Sequence, residues 1–133
     1  MSTISTEQVK ELRDRTGISV MQCRKALEEA AGDMEKAIMI LKKQSGIAAA
    51  KKGDREASAG LIVAKKEGAN GNSRAIALTL NCETDFVGKN DDFINLAKAL
   101  LEKAWVDGKA AMEVAAPEMI APVIQKIGEN IKL

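Results

Sequence analysis

Thr84-Asp85-Phe86-Val87 sets a carboxylate directly before a large apolar ring, at the junction between a strand pattern and a helix pattern. A ring so placed suits insertion into another protein. Burying it on contact recovers about 2 kcal/mol, and the adjoining carboxylate can hydrogen-bond a helix end or repel carboxylates that hold a metal. Bond-making chemistry has far less to work with. The chain contains no His and only two Cys, Cys23 and Cys82, far apart and in apolar patterns, so the usual pair of base and nucleophile is missing. These thiols have neither zinc spacing nor a disulfide framework and are expected as reduced core residues of a cytoplasmic protein. Asp85, Asp91 and Asp92 lie close together but lack the alternating oxygen ligands and central Gly of a calcium loop. They are more simply read as a contact residue and helix caps, with no metal and no cofactor expected.

The elements that must position this segment follow from local signals. Ser5 and Gln8 have capping-box spacing ahead of Val9 and Leu12, and Ser19 and Gln22 repeat it ahead of Val20, Cys23 and Leu27, whose helix stops at Gly32. Asp33 caps a third helix with Met34, Ala37, Ile38 and Leu41 on its inward stripe, ended by Gly46. Residues 1–46 therefore form a three-helix module with Leu12, Val20, Leu27, Ile38 and Leu41 inside. Residues 47–59, alanine-rich and charged, are expected to be a linker.

From residue 60 the apolar period changes from helix to strand. Leu61 to Lys66 reads as one strand, residues 67–73 as a turn, and Ile76, Leu78, Leu80 and Cys82 alternate with small or polar residues along a return strand. Asn90, Asp91 and Asp92 open the next helix, with Phe93, Leu96, Ala97, Leu100, Leu101 and Ala104 on its buried face. Ile120, Val123, Ile124 and Ile127 keep helical spacing, but Pro122 places the start of the regular helix only there, and Gly128 ends it. Ile131 and Leu133 then alternate like the start of a strand. The fold class is α+β: three helices, a linker at 47–59, and a core over 60–133 made of an antiparallel hairpin with packed helices. An unfinished last strand suggests that the core is truncated, and its uncovered edge implies self-association through the C-terminal half.

Composition narrows the partner. The net charge is +1; the first 55 residues hold 11 Lys or Arg against 8 Asp or Glu, and the rest 9 against 11, so neither part carries the basic footprint of a nucleic-acid binder. With two Phe, one Trp and no Tyr, platforms for base stacking are absent too. Lys42, Lys43, Lys51 and Lys52 are interleaved with acidic neighbours on either side and read as a solvated face. No run reaches the roughly 18 apolar residues of a membrane helix, and the N-terminus lacks the pattern of a secretory signal. A protein partner is expected, without direct nucleic-acid or membrane binding.

Three motifs in one order resemble the elongation factor Ts family over nearly the whole chain. They are residues 12–17 with 21–27 (Leu-Arg-Asp-Arg-Thr-Gly and Met-Gln-Cys-Arg-Lys-Ala-Leu), residues 81–93, and residues 126–131 (Lys-Ile-Gly-Glu-Asn-Ile). The resemblance implies an N-terminal module of the ubiquitin-associated type. It also implies a guanine nucleotide exchange factor, not an enzyme, that acts on the GTPase elongation factor Tu in translation elongation. Burial preferences alone would favour a core role for a lone Phe at such a junction by about three to one. The resemblance reverses this for Phe86: Asp85 and Phe86 become a wedge framed by Thr84 and Val87, which enters near the nucleotide and dislodges Mg2+ from elongation factor Tu. Lys10, Arg13, Val20 and Met21 match the module's partner-facing positions, although Val20 replaces the usual Met and Gln22 the usual Asp. The family pattern continues beyond the third motif into a second half of the core. A fragment that docks on elongation factor Tu without efficient exchange is therefore the alternative.

Overall fold

The structure, a computed structural model, describes residues 3–133. Its elements are the helices α1 (Thr6–Thr16), α2 (Val20–Glu29) and α3 (Met34–Lys52), the strands β1 (Ala59–Ala69) and β2 (Asn72–Cys82), the helices α4 (Asp85–Gly88), α5 (Asp91–Asp107) and α6 (Lys109–Ile127), and a short strand β3 (Ile131–Lys132). Six helices and a three-stranded antiparallel sheet make an α+β fold. No helix among the described residues is long and apolar enough to cross a membrane.

Short polar side chains satisfy the free amides that open the first three helices. At α1 the capping box is complete: Gln8 N–H donates to Ser5 Oγ at 3.2 Å and Ser5 N–H to Gln8 Oε1 at 2.9 Å. At α2 only half of it forms, because the Gln22 side chain meets the Ser19 hydroxyl rather than the Ser19 amide. Asp33 accepts from Lys36 N–H at 3.1 Å to cap α3. Leu12, Ile18, Cys23, Leu27, Ala37 and Leu41 bury together, with Ile38 packed at their edge.

Val20 does not join this cluster, against the expectation from its spacing: it is 48% exposed. It is the first residue of α2, and the buried stripe of that helix begins only at Cys23 and continues through Ala26 and Leu27. Unfolding in urea should separate the two kinds of position. Leu27→Ala is expected to cost about 2–5 kcal/mol, whereas Val20→Ala should stay within about 0.5 kcal/mol of the parent.

Gly46 does not end α3, which continues to Lys52 through the first part of the expected linker. A Gly inside a helix costs about 1 kcal/mol relative to Ala. The strong helix formers Ala48, Ala49, Ala50, Lys51 and Lys52 follow it, and tertiary packing adds to their effect. Ser45 is buried and its hydroxyl bonds Gln125 of α6, while Ala49 packs against the buried cluster that contains Leu80, Phe93 and Ile124. Only residues 53–58 separate α3 from β1.

The hairpin is longer, and its turn tighter, than the polar run at 67–73 suggests. β1 and β2 pair from Ala59↔Cys82 to Ala69↔Asn72, and the chain reverses at Asn70 and Gly71 with φ of 57° and 89°. Two successive positive φ values match the twist of the flanking strands in a two-residue turn, which is why Asn-Gly is favoured there. β3 pairs with β2 through Asn81↔Lys132 and Cys82↔Ile131, so β2 is central. The alternation expected to run from Ile131 to Leu133 is only begun: Ile131 is buried and Lys132 exposed, but the strand ends there and Leu133 is 46% exposed.

A second cluster lies between the sheet and two helices. Leu78, Leu80 and Cys82 of β2 meet Phe93, Leu96, Ala97, Leu100 and Leu101 of α5, Met112, Ala116 and Ile124 of α6, and Ile131. α6 begins at Lys109, far ahead of the start expected at Pro122, and carries Pro117 and Pro122 in its interior. Each proline removes one helical hydrogen bond, and in an exposed helix would cost about 3 kcal/mol. Burial of Met112, Ala116, Ala121 and Ile124, with the helix packed against both α3 and α5, outweighs that cost. Trp105 ties the hairpin to α5: the Arg74 guanidinium lies 4.0 Å and the Lys65 ammonium 4.9 Å from its ring centre, and Lys65 also pairs with Glu102 at 3.0 Å.

Candidate functional site

Phe86 is 83% exposed, while Phe93, seven residues on, is fully buried. The difference arises at the end of β2. After Cys82 the chain leaves the sheet, and Thr84, in extended conformation, caps the single turn α4 by accepting from Val87 N–H at 3.4 Å. Successive residues of a helical turn point about 100° apart. Val87 faces inward and packs on the second cluster, which leaves Asp85 and Phe86 on the outside.

The turn is held from several sides. Gly88 N–H donates to Thr84 O at 3.2 Å and Asn90 N–H to Val87 O at 2.9 Å, joining α4 to the cap of α5. Asn90 Oδ1 in turn accepts from Asp92 and Phe93 N–H at 2.9 and 3.4 Å. Below the turn, Gly88 lies against β1, so close that a Cβ there would stand 3.4 Å from Gly60 O. The Cys82 thiol donates to Thr84 O at 3.0 Å. Burial pushes this thiol's pKa up, and the Glu129 carboxylate pushes in the same direction. Burial likewise raises that of Cys23 in the first cluster. Both are free and buried, and behave as small apolar core groups.

The third sequence motif sits beside this turn, which spacing along the chain did not reveal. Glu129 Oε1 accepts from Glu83 N–H at 3.1 Å and Thr84 N–H at 3.0 Å, and its Oε2 accepts from the Thr84 hydroxyl at 2.7 Å. Glu83 Oε2 accepts from Asn130 N–H at 3.2 Å, and the Arg55 guanidinium lies 3.7 Å from the same carboxylate. The buried Asn130 side chain donates to Arg55 O at 2.8 Å, and Lys126 pairs with Asp92 at 3.0 Å. The sequence marked Glu129 and Asn130 through the motif at 126–131 and their place after a glycine helix end, but neither signal points to a partner 45 residues away.

Thr84, Asp85, Phe86 and Val87 are thus brought together on one turn. Lys10 and Arg13 stand on the exposed side of α1, three residues apart, and Val20 and Met21 on the first turn of α2, with Met21 68% exposed. The two groups rest on different clusters: α1 and α2 pack on each other and on α3, whereas α4 packs on β1, β2 and α5. The candidate site is therefore an exposed apolar side chain, Phe86, on a hydrogen-bonded turn of an α+β fold.

No family model matches the chain. Among curated proteins, it is 43% identical over 137 residues to elongation factor Ts of Hahella chejuensis, covering 100% of this chain and 47% of that protein. It is 48% identical over 146 residues to elongation factor Ts of Chlorobium phaeobacteroides, covering 100% of this chain and 50% of that protein. With elongation factor Ts of Prosthecochloris aestuarii the identity is 47% over 113 residues, 85% of this chain and 38% of the relative. The chain spans about half the length or less of these relatives. Over the stretch that it spans, it belongs to the elongation factor Ts family.

Proposed function

We propose that this protein is a guanine nucleotide exchange factor of translation elongation that acts in the cytoplasm on elongation factor Tu bound to GDP, and that it is not an enzyme. The observation that carries the reading is Phe86, a ring 83% exposed on a turn fixed by its own cap and by Glu129. A protein that binds the empty GTPase more tightly than the loaded one must weaken nucleotide binding by the same factor, so no bond-making group is required. Phe86 enters between helices of the GTPase near the nucleotide, with Asp85 beside it and Thr84 and Val87 as the frame. Magnesium demands near-ideal octahedral geometry, so small movements of its ligands release it and loosen the phosphates.

Residues 1–46 act as the docking module, through Lys10, Arg13, Val20 and Met21. The connection to the core runs through the end of α3, which reaches Lys52, and then residues 53–58 ahead of β1. Accelerated release of labelled GDP from elongation factor Tu at substoichiometric amounts of the chain is the expected result. Co-purification with elongation factor Tu without any acceleration would instead make the chain a docking fragment.

Self-association through the C-terminal half is a second proposal, carried by the sheet edge. β3 covers β2 only at Asn81 and Cys82, which leaves the earlier part of that edge without a strand. Light scattering over a concentration series should show a mass that rises above one chain. A constant monomer mass would reject it.

A further inference from the structure

Phe86 has almost no packing of its own, so its position is set by the backbone beneath it. That backbone leaves β2 with two successive amides, those of Glu83 and Thr84, pointing away from any strand. Both donate to one oxygen of Glu129. The other oxygen takes the Thr84 hydroxyl proton at 2.7 Å. A hydroxyl has a single hydrogen, so giving it to Glu129 turns the lone pairs of Thr84 Oγ1 toward Val87 N–H, the bond that caps α4. One carboxylate thereby fixes both the direction of the exit from the sheet and the start of the turn that bears Phe86.

We infer that Glu129 is the positioning residue for Phe86: it touches no partner but holds the Glu83–Thr84 backbone so that the ring points outward, ready to enter the GTPase. The inference rests on the exchange function proposed above. The contact is reciprocal, since Glu83 accepts from Asn130 N–H, and the buried Asn130 ties the pair to Arg55 O. Glu129 follows Gly128, the left-handed residue that ends α6, and so acts from the rigid end of a long helix rather than from a free loop. It lies outside the hydrophobic cluster of Leu80, Phe93 and Leu100, whose packing does not involve it. Hydrogen bonds to a charged acceptor are about twice as strong as neutral ones, so a carboxylate serves this purpose better than an amide.

The test uses the whole 133-residue chain as wild type, Glu129→Ala, Glu129→Gln, Phe86→Ala and the Glu129→Ala/Phe86→Ala double variant. Two quantities are measured: amide hydrogen exchange, and release of labelled GDP from elongation factor Tu. Glu129→Ala is expected to speed amide exchange at Glu83, Thr84 and Val87 by about tenfold or more, leave Leu80, Phe93 and Leu100 protected, and cut the stimulation of GDP release by about tenfold, no further than Phe86→Ala does. Glu129→Gln keeps one carbonyl oxygen for the two amides and should fall between. In the absence of the Phe86 ring, Glu129→Ala should cost nothing further, which a merely stabilising residue would not satisfy. Unchanged protection at Glu83 and Thr84, a loss of protection that extends to Leu100, or an equal loss of activity with and without Phe86 would each overturn the inference. If the wild type releases no GDP, the exchange function fails, and the amide pattern alone then decides whether Glu129 holds the turn.

Discussion

Phe86→Ala is expected to unfold at nearly the urea concentration of the parent while losing most of its stimulation of GDP release. The ring is 83% exposed, so its removal from the free protein gives up little burial and should change stability by no more than about 0.5 kcal/mol. Truncation of an aromatic anchor at the centre of an interface costs about 2 kcal/mol or more, which corresponds to a loss of about 30-fold. Asp85→Ala should be milder, because an exposed carboxylate loses less on contact than a buried ring gains. Thermal unfolding alongside GDP release separates the alternatives. A steep fall in melting temperature with full activity retained in the cold would make Phe86 a structural residue.

The second large effect is at Gly60, in β1 opposite Asn81. Its φ is +142°, and a Cβ there would lie 2.1 Å from Leu80 O and 2.8 Å from the Asn81 Cα. Both contacts are with backbone, which cannot swing aside as the tip of a flexible side chain can. Gly60→Ala should therefore displace β1 from β2 and cost about 3 kcal/mol or more. Because Gly88 rests on Gly60, the disturbance should also reach the turn that carries Phe86. Gly46→Ala supplies the contrast: nothing lies within 4 Å of a Cβ there and the residue is helical, so it should stabilise by about 0.5–1 kcal/mol. Urea titrations of both variants measure the difference. A Gly60→Ala protein within about 1 kcal/mol of the parent would show that the hairpin yields to accommodate the methyl group.

Local signals carried much of the fold. Ser5, Ser19, Asp33 and Asn90 open helices because a short side chain bonds an amide two or three residues away, and alternation along β2 reports which face is buried. The Thr84–Val87 segment was found by its resemblance to a family, and the burial of Phe93 by its helical stripe. Interactions of this kind span a few residues and are written where they act.

What tertiary structure decided depends on residues distant in sequence. α3 runs past Gly46 because α6 packs on its second half, and α6 keeps its course through Pro117 and Pro122 because it is packed against both α3 and α5. Neither result follows from propensity, which at Gly46 and at both prolines points the other way. Val20 satisfied the apolar spacing of its helix and still faces outward, because periodicity gives a stripe but not the residue at which burial begins. Thr84 and Glu129 are 45 residues apart, so the hydrogen bonds that link them arise only once β3 has paired with β2 and α6 has ended at Gly128. The sequence by itself determined which side chains could make a surface for another protein; only the packing of distant elements determined that one ring would be held out on a bonded turn, because a carboxylate can orient a backbone only where the fold has already brought the two together.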